Sequence, residues 1–88
     1  MVHIAHNVTI GNNCMIAGQC GFAGSAKIGN FVQIGGQTGI GGHIKISDFV
    51  KIAAKSGVIR DIAKGETVMG YPAINLNKYL KNYKKSMM

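Results

Sequence analysis

A large apolar residue returns every six positions along most of this chain. We number each hexad from that residue, so that the lead residue is position one. The lead residues are Ile4, Ile10, Ile16, Phe22, Ile28, Ile34, Ile40, Ile46, Ile52 and Val58. A period of six fits neither the 3.6-residue period of an α-helix nor the alternation of a single strand. It predicts a solenoid, in which neighbouring repeats bury each other's apolar positions.

The other positions of the hexad are as regular as the first. The second is almost always Gly, Ala or Ser, which predicts close packing of the backbone. The fifth is small or β-branched, which predicts a second and narrower inward-facing column. The third holds Gly, Asn, Asp and His6, residue types that tolerate left-handed or tight-corner backbone. We expect the frame to continue unbroken to Met69, which puts Ile62 and Val68 in the fifth position.

These columns predict short strands that end in corners and wind into a triangular parallel β-helix. Three hexads, or 18 residues, make one coil, so residues 18 apart stack about 4.8 Å from each other. Gly65 to Ala73 is interpreted as an exit segment, and Leu76 to Tyr83 shows helical spacing with interleaved lysines. We therefore expect an all-β fold of hexapeptide repeats and exit segment over residues 1–73, and a short C-terminal α-helix over residues 74–88.

Composition narrows the class of protein. The chain has 13 glycines in 88 residues and is 47% hydrophobic, which is too apolar for a disordered chain. No apolar run approaches the roughly 18 residues that span a bilayer, and no secretory signal is recognisable. We therefore expect a cytoplasmic protein without a transmembrane segment. Cys14 and Cys20 fall in the fifth column without metal-ligand spacing, so we interpret them as free structural thiols and expect no metal.

The charge of the chain points to an anionic partner without identifying it. A formal net charge of +7 suits nucleic acid, a phosphate-bearing substrate, a lipid surface or an acidic protein. Nucleic acid ranks last, because the basic residues are not interleaved with aromatic residues in a recognition motif.

Stacking by 18 residues brings three groups of side chains together. The first, at one corner, combines histidines and lysines with small and polar residues: His6, Gly24, Gly42, Asn7, Ser25, His43, Lys27 and Lys45. The second stacks Phe31 over Phe49 as exposed aromatics, which suggests a contact surface. The third is a column without side chains, Gly21, Gly39 and Gly57. It predicts a groove for a neighbouring subunit or an extended acyl or pantetheine chain, unless tight turns alone require these glycines.

Four motifs carry a resemblance to a known family. They are Ile4-Ala5-His6-Asn7-Val8, Phe22-Ala23-Gly24-Ser25-Ala26-Lys27-Ile28-Gly29, Ile34-Gly35-Gly36-Gln37 and Gly42-His43-Ile44-Lys45-Ile46. The hexads resemble those of hexapeptide-repeat acyltransferases, which implies a left-handed β-helix. The spacing of the motifs resembles the C-terminal part of the UDP-3-O-acylglucosamine N-acyltransferases of lipid A biosynthesis, whose longer chains also carry a nucleotide-binding N-terminal domain.

The resemblance implies a reaction and a set of partners. Enzymes of this family transfer a 3-hydroxyacyl group from acyl carrier protein, which holds it on 4′-phosphopantetheine, to the 2-amine of UDP-3-O-acylglucosamine. They are homotrimers with active sites between subunits. The resemblance therefore implies an N-acyltransferase with a UDP-sugar substrate, acyl carrier protein as donor, and no bound cofactor or metal.

The resemblance also implies roles for individual residues. His6 matches the family's general base, Gly24 the backbone N–H that stabilises the thioester oxyanion, and His43 a second histidine that assists binding. The stacking independently makes His6 and Gly24 neighbours on adjacent coils, as a base and an oxyanion donor must be. The remaining candidates are expected to bind substrate or donor: Asn7, Ser25, Lys27, Lys45, Gly21, Gly39, Gly57 and Arg60.

Two other functions remain open from the sequence. One is a different hexapeptide acyltransferase that takes its acyl group from acetyl-CoA. The other is a non-catalytic trimeric β-helix remnant. Stabilisation by coenzyme A would favour the first, and indifference to every ligand and to His6→Ala would favour the second.

Overall fold

The computed structural model describes residues 2–70 and 72–75, which form twelve short strands and the corners between them. Each of the first ten strands consists of the sixth residue of one hexad and the lead residue of the next. The strands are β1 His3–Ile4, β2 Thr9–Ile10, β3 Met15–Ile16, β4 Gly21–Phe22, β5 Lys27–Ile28, β6 Gln33–Ile34, β7 Gly39–Ile40, β8 Lys45–Ile46, β9 Lys51–Ile52, β10 Gly57–Val58, β11 Thr67–Met69 and β12 Ile74–Asn75.

The strands form three sheets, parallel throughout except for the last strand, β12, and these sheets are the faces of a triangular prism. The glycine face has the order β1-β4-β7-β10, the lysine face β2-β5-β8, and the third face β12-β11-β9-β6-β3. Up to β10, paired residues are 18 apart, as in Gly21 with Gly39 and Lys27 with Lys45. The predicted coil of three hexads is therefore confirmed over most of the chain.

The lead and fifth positions fill the interior. Phe22, Ile46 and Val58 among the lead residues are 1% exposed, and the fifth-position residues from Cys20 to Ser56 are buried. Polar members of the fifth column donate to backbone carbonyls inside the prism: Thr38 Oγ1 lies 2.8 Å from Gly35 O. Both cysteines are free, as predicted, and Cys20 Sγ lies 3.2 Å from Gly35 O.

The corners correct one detail of the sequence prediction. The left-handed residue is the fourth of the hexad, with φ from 57 to 62°, and not the third. The fourth-position residues with this left-handed backbone conformation are Asn7, Asn13, Gln19, Ser25, Phe31, Gln37, His43, Phe49 and Lys55. A tight turn needs its positive φ at the second central residue, as in a type II turn. Glycine at the third position of the third coil has another reason: a Cβ on Gly42 would lie 3.3 Å from the Gly24 carbonyl oxygen of the preceding coil.

The expectation of an unbroken frame to Met69 is wrong after Val58. Ile62 pairs with Ile46 and Val68 with Ile52, so the last coil is two residues shorter than the others. Ile62 and Val68 therefore occupy lead positions and not fifth positions, and both are buried. This shift explains why polar Lys64 falls where the unbroken frame would require an aliphatic residue.

The segment after the coils also differs from its prediction where it is described. Ile74–Asn75 form strand β12, which pairs antiparallel with β11, so the first two residues of the predicted 74–88 helix are extended. The rest of that prediction lies outside the described residues. Among residues 2–70 and 72–75, no helix is long and apolar enough to cross a membrane.

Candidate functional site

The corner between the glycine face and the lysine face carries the predicted catalytic residues, and we call it the histidine corner (residues 5–8, 23–26 and 41–44). Its coils are joined by backbone hydrogen bonds: Ser25 N–H donates to His6 O at 3.0 Å, and His43 N–H donates to Gly24 O at 3.0 Å. His6, Gly24 and His43 therefore occupy three successive coils at one corner. Both histidine side chains are exposed.

The fourth-position residues of the histidine corner all adopt the left-handed conformation. Asn7, Ser25 and His43 have φ of 61, 62 and 59°. Since successive coils place equivalent residues above one another, these three side chains form a column of hydrogen-bonding groups beside His6 and Gly24. Six of the eight residues that the sequence assigned to this corner lie in it, and the other two, Lys27 and Lys45, lie in the adjacent strands of the lysine face.

The backbone N–H of Gly24 is available to a ligand. It donates a hydrogen bond to none of the described residues, although the flanking Ala23 and Ser25 N–H groups both have backbone acceptors. A Cβ at Gly24 would lie 3.5 Å from His6 O, an ordinary contact, and its φ is not left-handed. Neither packing nor backbone conformation therefore requires glycine here. The absent side chain instead lets another molecule approach the N–H closely.

The glycine face forms a groove beside the histidine corner. The groove has a volume of about 670 Å³, and its floor includes Gly21 and Gly39, whose missing Cβ atoms would meet no atom within 4 Å. Gly57 also lines the groove, but it is buried and its backbone forms hydrogen bonds with Gly70 and Ala73. All three glycines of the predicted column therefore line the groove, which is open over two coils and buried at the third.

Ile59 stands at the closed end of the groove and was not singled out from the sequence. It lines the groove and is 62% exposed, whereas the second-position residues beneath it, Ala5, Ala23 and Gly41, are small. A large apolar residue in a column of small ones was a visible departure from the repeat. It ends the groove with an apolar wall.

Three predicted cationic residues flank the histidine corner. Lys27 and Lys45 are exposed neighbours in register on the lysine face, three and two residues after Gly24 and His43 respectively. Arg60 lies in the shortened corner of the fourth coil, where its Nη2 atom is 3.5 Å from Glu66 Oε2. Arg60 Nη1 also donates to Asp61 O at 3.1 Å. The ion pair is only partly buried, so it holds Arg60 weakly.

The described residues do not include a cluster of side chains that could bind a metal ion. Within residues 2–70 and 72–75, no three His, Cys, Asp or Glu side chains lie close enough together to hold a metal ion. The chemistry available at the histidine corner is that of imidazole, backbone N–H, hydroxyl and amide groups.

Comparison with known proteins shows that this chain is similar to UDP-3-O-acylglucosamine N-acyltransferases. It is 63% identical over 81 residues to the UDP-3-O-acylglucosamine N-acyltransferase of Caulobacter vibrioides, covering 92% of this chain and 24% of that enzyme. It is 70% identical over 82 residues to the enzyme of that name from Christiangramia forsetii, covering 93% of this chain and 24% of the relative. The chain thus spans about a quarter of the length of the curated relatives it matches.

Solved structures agree on the fold. The crystal structure of UDP-N-acetylglucosamine O-acyltransferase from Moraxella catarrhalis superposes with a TM-score of 0.81 at 38% identity, covering 94% of this chain and 33% of that one. The fold is the left-handed β-helix of hexapeptide-repeat acyltransferases, as the sequence predicted. No protein-family model matches the chain. The predicted resemblance to the UDP-3-O-acylglucosamine N-acyltransferases is confirmed.

Proposed function

The chain is similar over 92% of its length to UDP-3-O-acylglucosamine N-acyltransferases, and on that premise we propose that it carries the acyl-transfer centre of such an enzyme. The proposed reaction moves a 3-hydroxyacyl group from the phosphopantetheine thiol of acyl carrier protein to the 2-amine of UDP-3-O-acylglucosamine. The single observation that supports a catalytic role is the unpartnered N–H of Gly24, one coil from the exposed imidazole of His6.

His6 is the proposed general base. Its imidazole takes a proton from the amine as the nitrogen attacks the thioester carbonyl carbon, so that a C–N bond forms. The C–S bond then breaks, and the thiolate leaves and takes up a proton. A positioned acid or base contributes typically about 10²- to 10⁴-fold to such a rate.

The Gly24 N–H is the proposed oxyanion donor. Negative charge develops on the thioester oxygen as the nitrogen attacks, and a fixed N–H at that point stabilises the charge without reorganising during the reaction. Because Gly24 has no side chain, the thioester can approach its N–H from outside the prism.

The remaining candidates have binding roles in this proposal. His43, Asn7 and Ser25 line the corner beside the reacting atoms, and the groove over Gly21 and Gly39 accepts the acyl chain. Lys27, Lys45 and Arg60 attract the phosphate groups of substrate or donor. A homotrimer with shared sites and a cytoplasmic location, where the carrier protein and nucleotide sugar are found, belong to the same proposal.

The test is a transfer assay with 3-hydroxyacyl carrier protein and UDP-3-O-acylglucosamine. His6→Ala is expected to lower the rate at least about a hundredfold, because the proton acceptor is lost. Asn12→Ala is the matched control, since Asn12 holds the equivalent third position of the same coil and its side chain makes no hydrogen bond to another described residue. It is expected to retain the parent rate.

Other outcomes would favour the alternatives. Equal rates for His6→Ala and the parent chain would contradict the role of His6. Stabilisation by coenzyme A together with transfer from acetyl-CoA alone would identify a different hexapeptide acyltransferase. Light scattering measures the subunit number, and a monomer that transfers the acyl group would contradict shared sites.

A further inference from the structure

A second, cationic groove lies on the lysine face, away from the glycine groove. It has a volume of about 360 Å³. Lys27, Lys45, Lys64 and Ser47 contribute polar side chains to its lining, together with one carboxylate, that of Asp48. We propose that this groove is a binding site for a phosphate or diphosphate group.

The first argument is the alignment of two like charges. Lys27 and Lys45 are directly in register on adjacent parallel strands, about 4.8 Å apart at the backbone. Like charges opposite each other in neighbouring strands repel and destabilise a sheet. An anion held between the two ammonium groups reverses the sign of that interaction.

The second argument is that each carboxylate of the chain accepts a hydrogen bond from a backbone N–H or pairs with Arg60, so none of them forms an ion pair with a lysine of the groove. The sequence has three acidic residues. Asp48 Oδ1 accepts the Asn30 N–H at 2.8 Å, Asp61 Oδ1 accepts the Lys45 backbone N–H at 2.8 Å, and Glu66 pairs with Arg60. No lysine side chain among the described residues forms an ion pair within 4.0 Å. Three lysines against the single lining carboxylate leave the groove net positive.

The third argument is the shape and chemistry of the groove. Lys64 comes from the next coil, above Asp48, and also lines the groove; its Nζ atom lies 5.7 Å from the centre of the Phe49 ring. Ser47 is half-buried, and its hydroxyl makes no hydrogen bond to another described residue. Three ammonium groups and a free hydroxyl suit a multiply charged group with several acceptor oxygens.

Phosphate could come from either substrate of the proposed reaction. The diphosphate of a nucleotide sugar and the phosphate of a pantetheine arm share the chemistry that the groove recognises. The existence of the site does not require the proposed function, but the identity of its occupant does. Binding and transfer are therefore measured separately, so that one can fail while the other stands.

The experiment is calorimetric titration of the 88-residue chain with inorganic pyrophosphate at low and moderate ionic strength. Saturable binding that weakens with added salt is expected. Lys45→Gln should weaken it roughly tenfold, the loss of one charge-assisted contact. Lys51→Gln is the matched control, because it removes the same charge from an exposed lysine on the third face. It should change the affinity less than about twofold.

Two competition arms identify the source of the phosphate. Displacement of pyrophosphate by UDP assigns the groove to the nucleotide, and displacement by 4′-phosphopantetheine assigns it to the donor; both support the site. Three results would overturn it: no saturable pyrophosphate binding, an equal loss of affinity in Lys51→Gln, or displacement by pantetheine that lacks its phosphate. Circular dichroism of each variant checks that the fold is retained.

Discussion

Two corners of the prism follow the same backbone path but differ in the hydrogen bonding of the backbone N–H at the third position of the hexad. At the asparagine corner (residues 11–14, 29–32 and 47–50), Asn12 N–H donates to Asn30 Oδ1 and Asn30 N–H to Asp48 Oδ1, both at 2.8 Å. At the histidine corner, Gly24 N–H donates to no described residue. One corner uses side-chain oxygens to join its coils, and the other leaves the same group free.

The two corners also differ in how tightly the second position of the hexad packs against the next coil. A Cβ on Gly29 at the asparagine corner would lie 2.9 Å from Asp48 N, which is backbone of the next coil. The equivalent atom on Gly41 at the histidine corner would meet Ile44 Cδ1 at 3.0 Å, the end of a flexible side chain, and its nearest backbone atom in the next coil, Val58 O, at 3.2 Å. The asparagine corner is thus closed by tight contacts between coils, and the histidine corner is more open.

The comparison distinguishes structural from functional use of one repeat. A free N–H alone does not mark a site, because the third corner, at residues 17–20, 35–38 and 53–56, also leaves its third-position amides without an acceptor among the described residues. That corner has no histidine to act as a base. The histidine corner is distinguished by the combination of a free N–H with an exposed imidazole on the adjacent coil.

The largest expected effect comes from removing the free N–H itself. Gly24→Pro deletes it without breaking a backbone hydrogen bond of the described chain, and proline suits the first central position of a tight turn. Loss of one oxyanion-hole donor costs about 10²- to 10³-fold in rate. We therefore expect the transfer rate to fall by that factor while circular dichroism shows an intact β-helix.

Gly24→Ala is the control for that substitution. It keeps the N–H, and its Cβ would make an ordinary 3.5 Å contact with His6 O. It should remain much more active than Gly24→Pro. Equal activity of the two variants would show that the free N–H is not used in the reaction.

The next largest effect tests the difference in packing. Gly29→Ala is expected to lower the free energy of unfolding by about 1–3 kcal/mol, because its Cβ meets backbone atoms that cannot move independently. Gly41→Ala should cost less, since Ile44 can change rotamer and the nearest backbone atom, Val58 O, is farther from the new Cβ than Asp48 N is at Gly29. Denaturant unfolding of both variants measures the difference. A larger loss for Gly41→Ala would contradict the more open packing of the histidine corner.

Much of this comparison could be predicted from the sequence, because a coil of 18 residues places residues 18 apart next to each other on adjacent coils. The register of the glycine and lysine columns and the grouping of His6, Gly24 and His43 followed from that period. The residues assigned to binding roles were placed by the same rule, and their roles stay predictions.

The six-residue period did not predict the length of the last coil, the backbone conformation of the fourth position or the direction of the side chains at the corners. The two-residue shortening after Val58 left Ile62 and Val68 as apolar as the fifth column required, which hid the shift there. Polar Lys64 at a lead position was the sign of it in the sequence. The left-handed fourth position was hidden because Phe31 and Phe49, which ordinarily avoid that conformation, adopt it here. The acceptors at Asn30 and Asp48 depend on side-chain direction, which residue spacing does not give.

A smaller effect is expected from the side-chain acceptors of the asparagine corner. Asn30→Ala removes the oxygen that accepts Asn12 N–H, and should lower the free energy of unfolding by about 1 kcal/mol. Asn12→Ala is the control, because only the backbone of Asn12 takes part in the hydrogen bonds described for it. It should change stability by only a few tenths of a kcal/mol. Equal losses in both variants would remove the role given to the Asn30 side chain.

The smallest effect is expected at the exposed end of the asparagine corner, where two terms oppose each other. The Phe31 and Phe49 rings stack with centroids 5.1 Å apart, an aromatic contact worth about 0.5–1.5 kcal/mol, but Phe49 adopts a φ of 61°. Phe49→Asn loses the stacking and gains a residue that tolerates this backbone, so stability should change by less than about 1 kcal/mol. Phe49→Val loses the stacking and keeps the strain, because a β-branched residue is disfavoured at positive φ. Denaturant unfolding should therefore show Phe49→Val as the less stable variant, and the reverse order would mean that backbone strain at this corner is negligible.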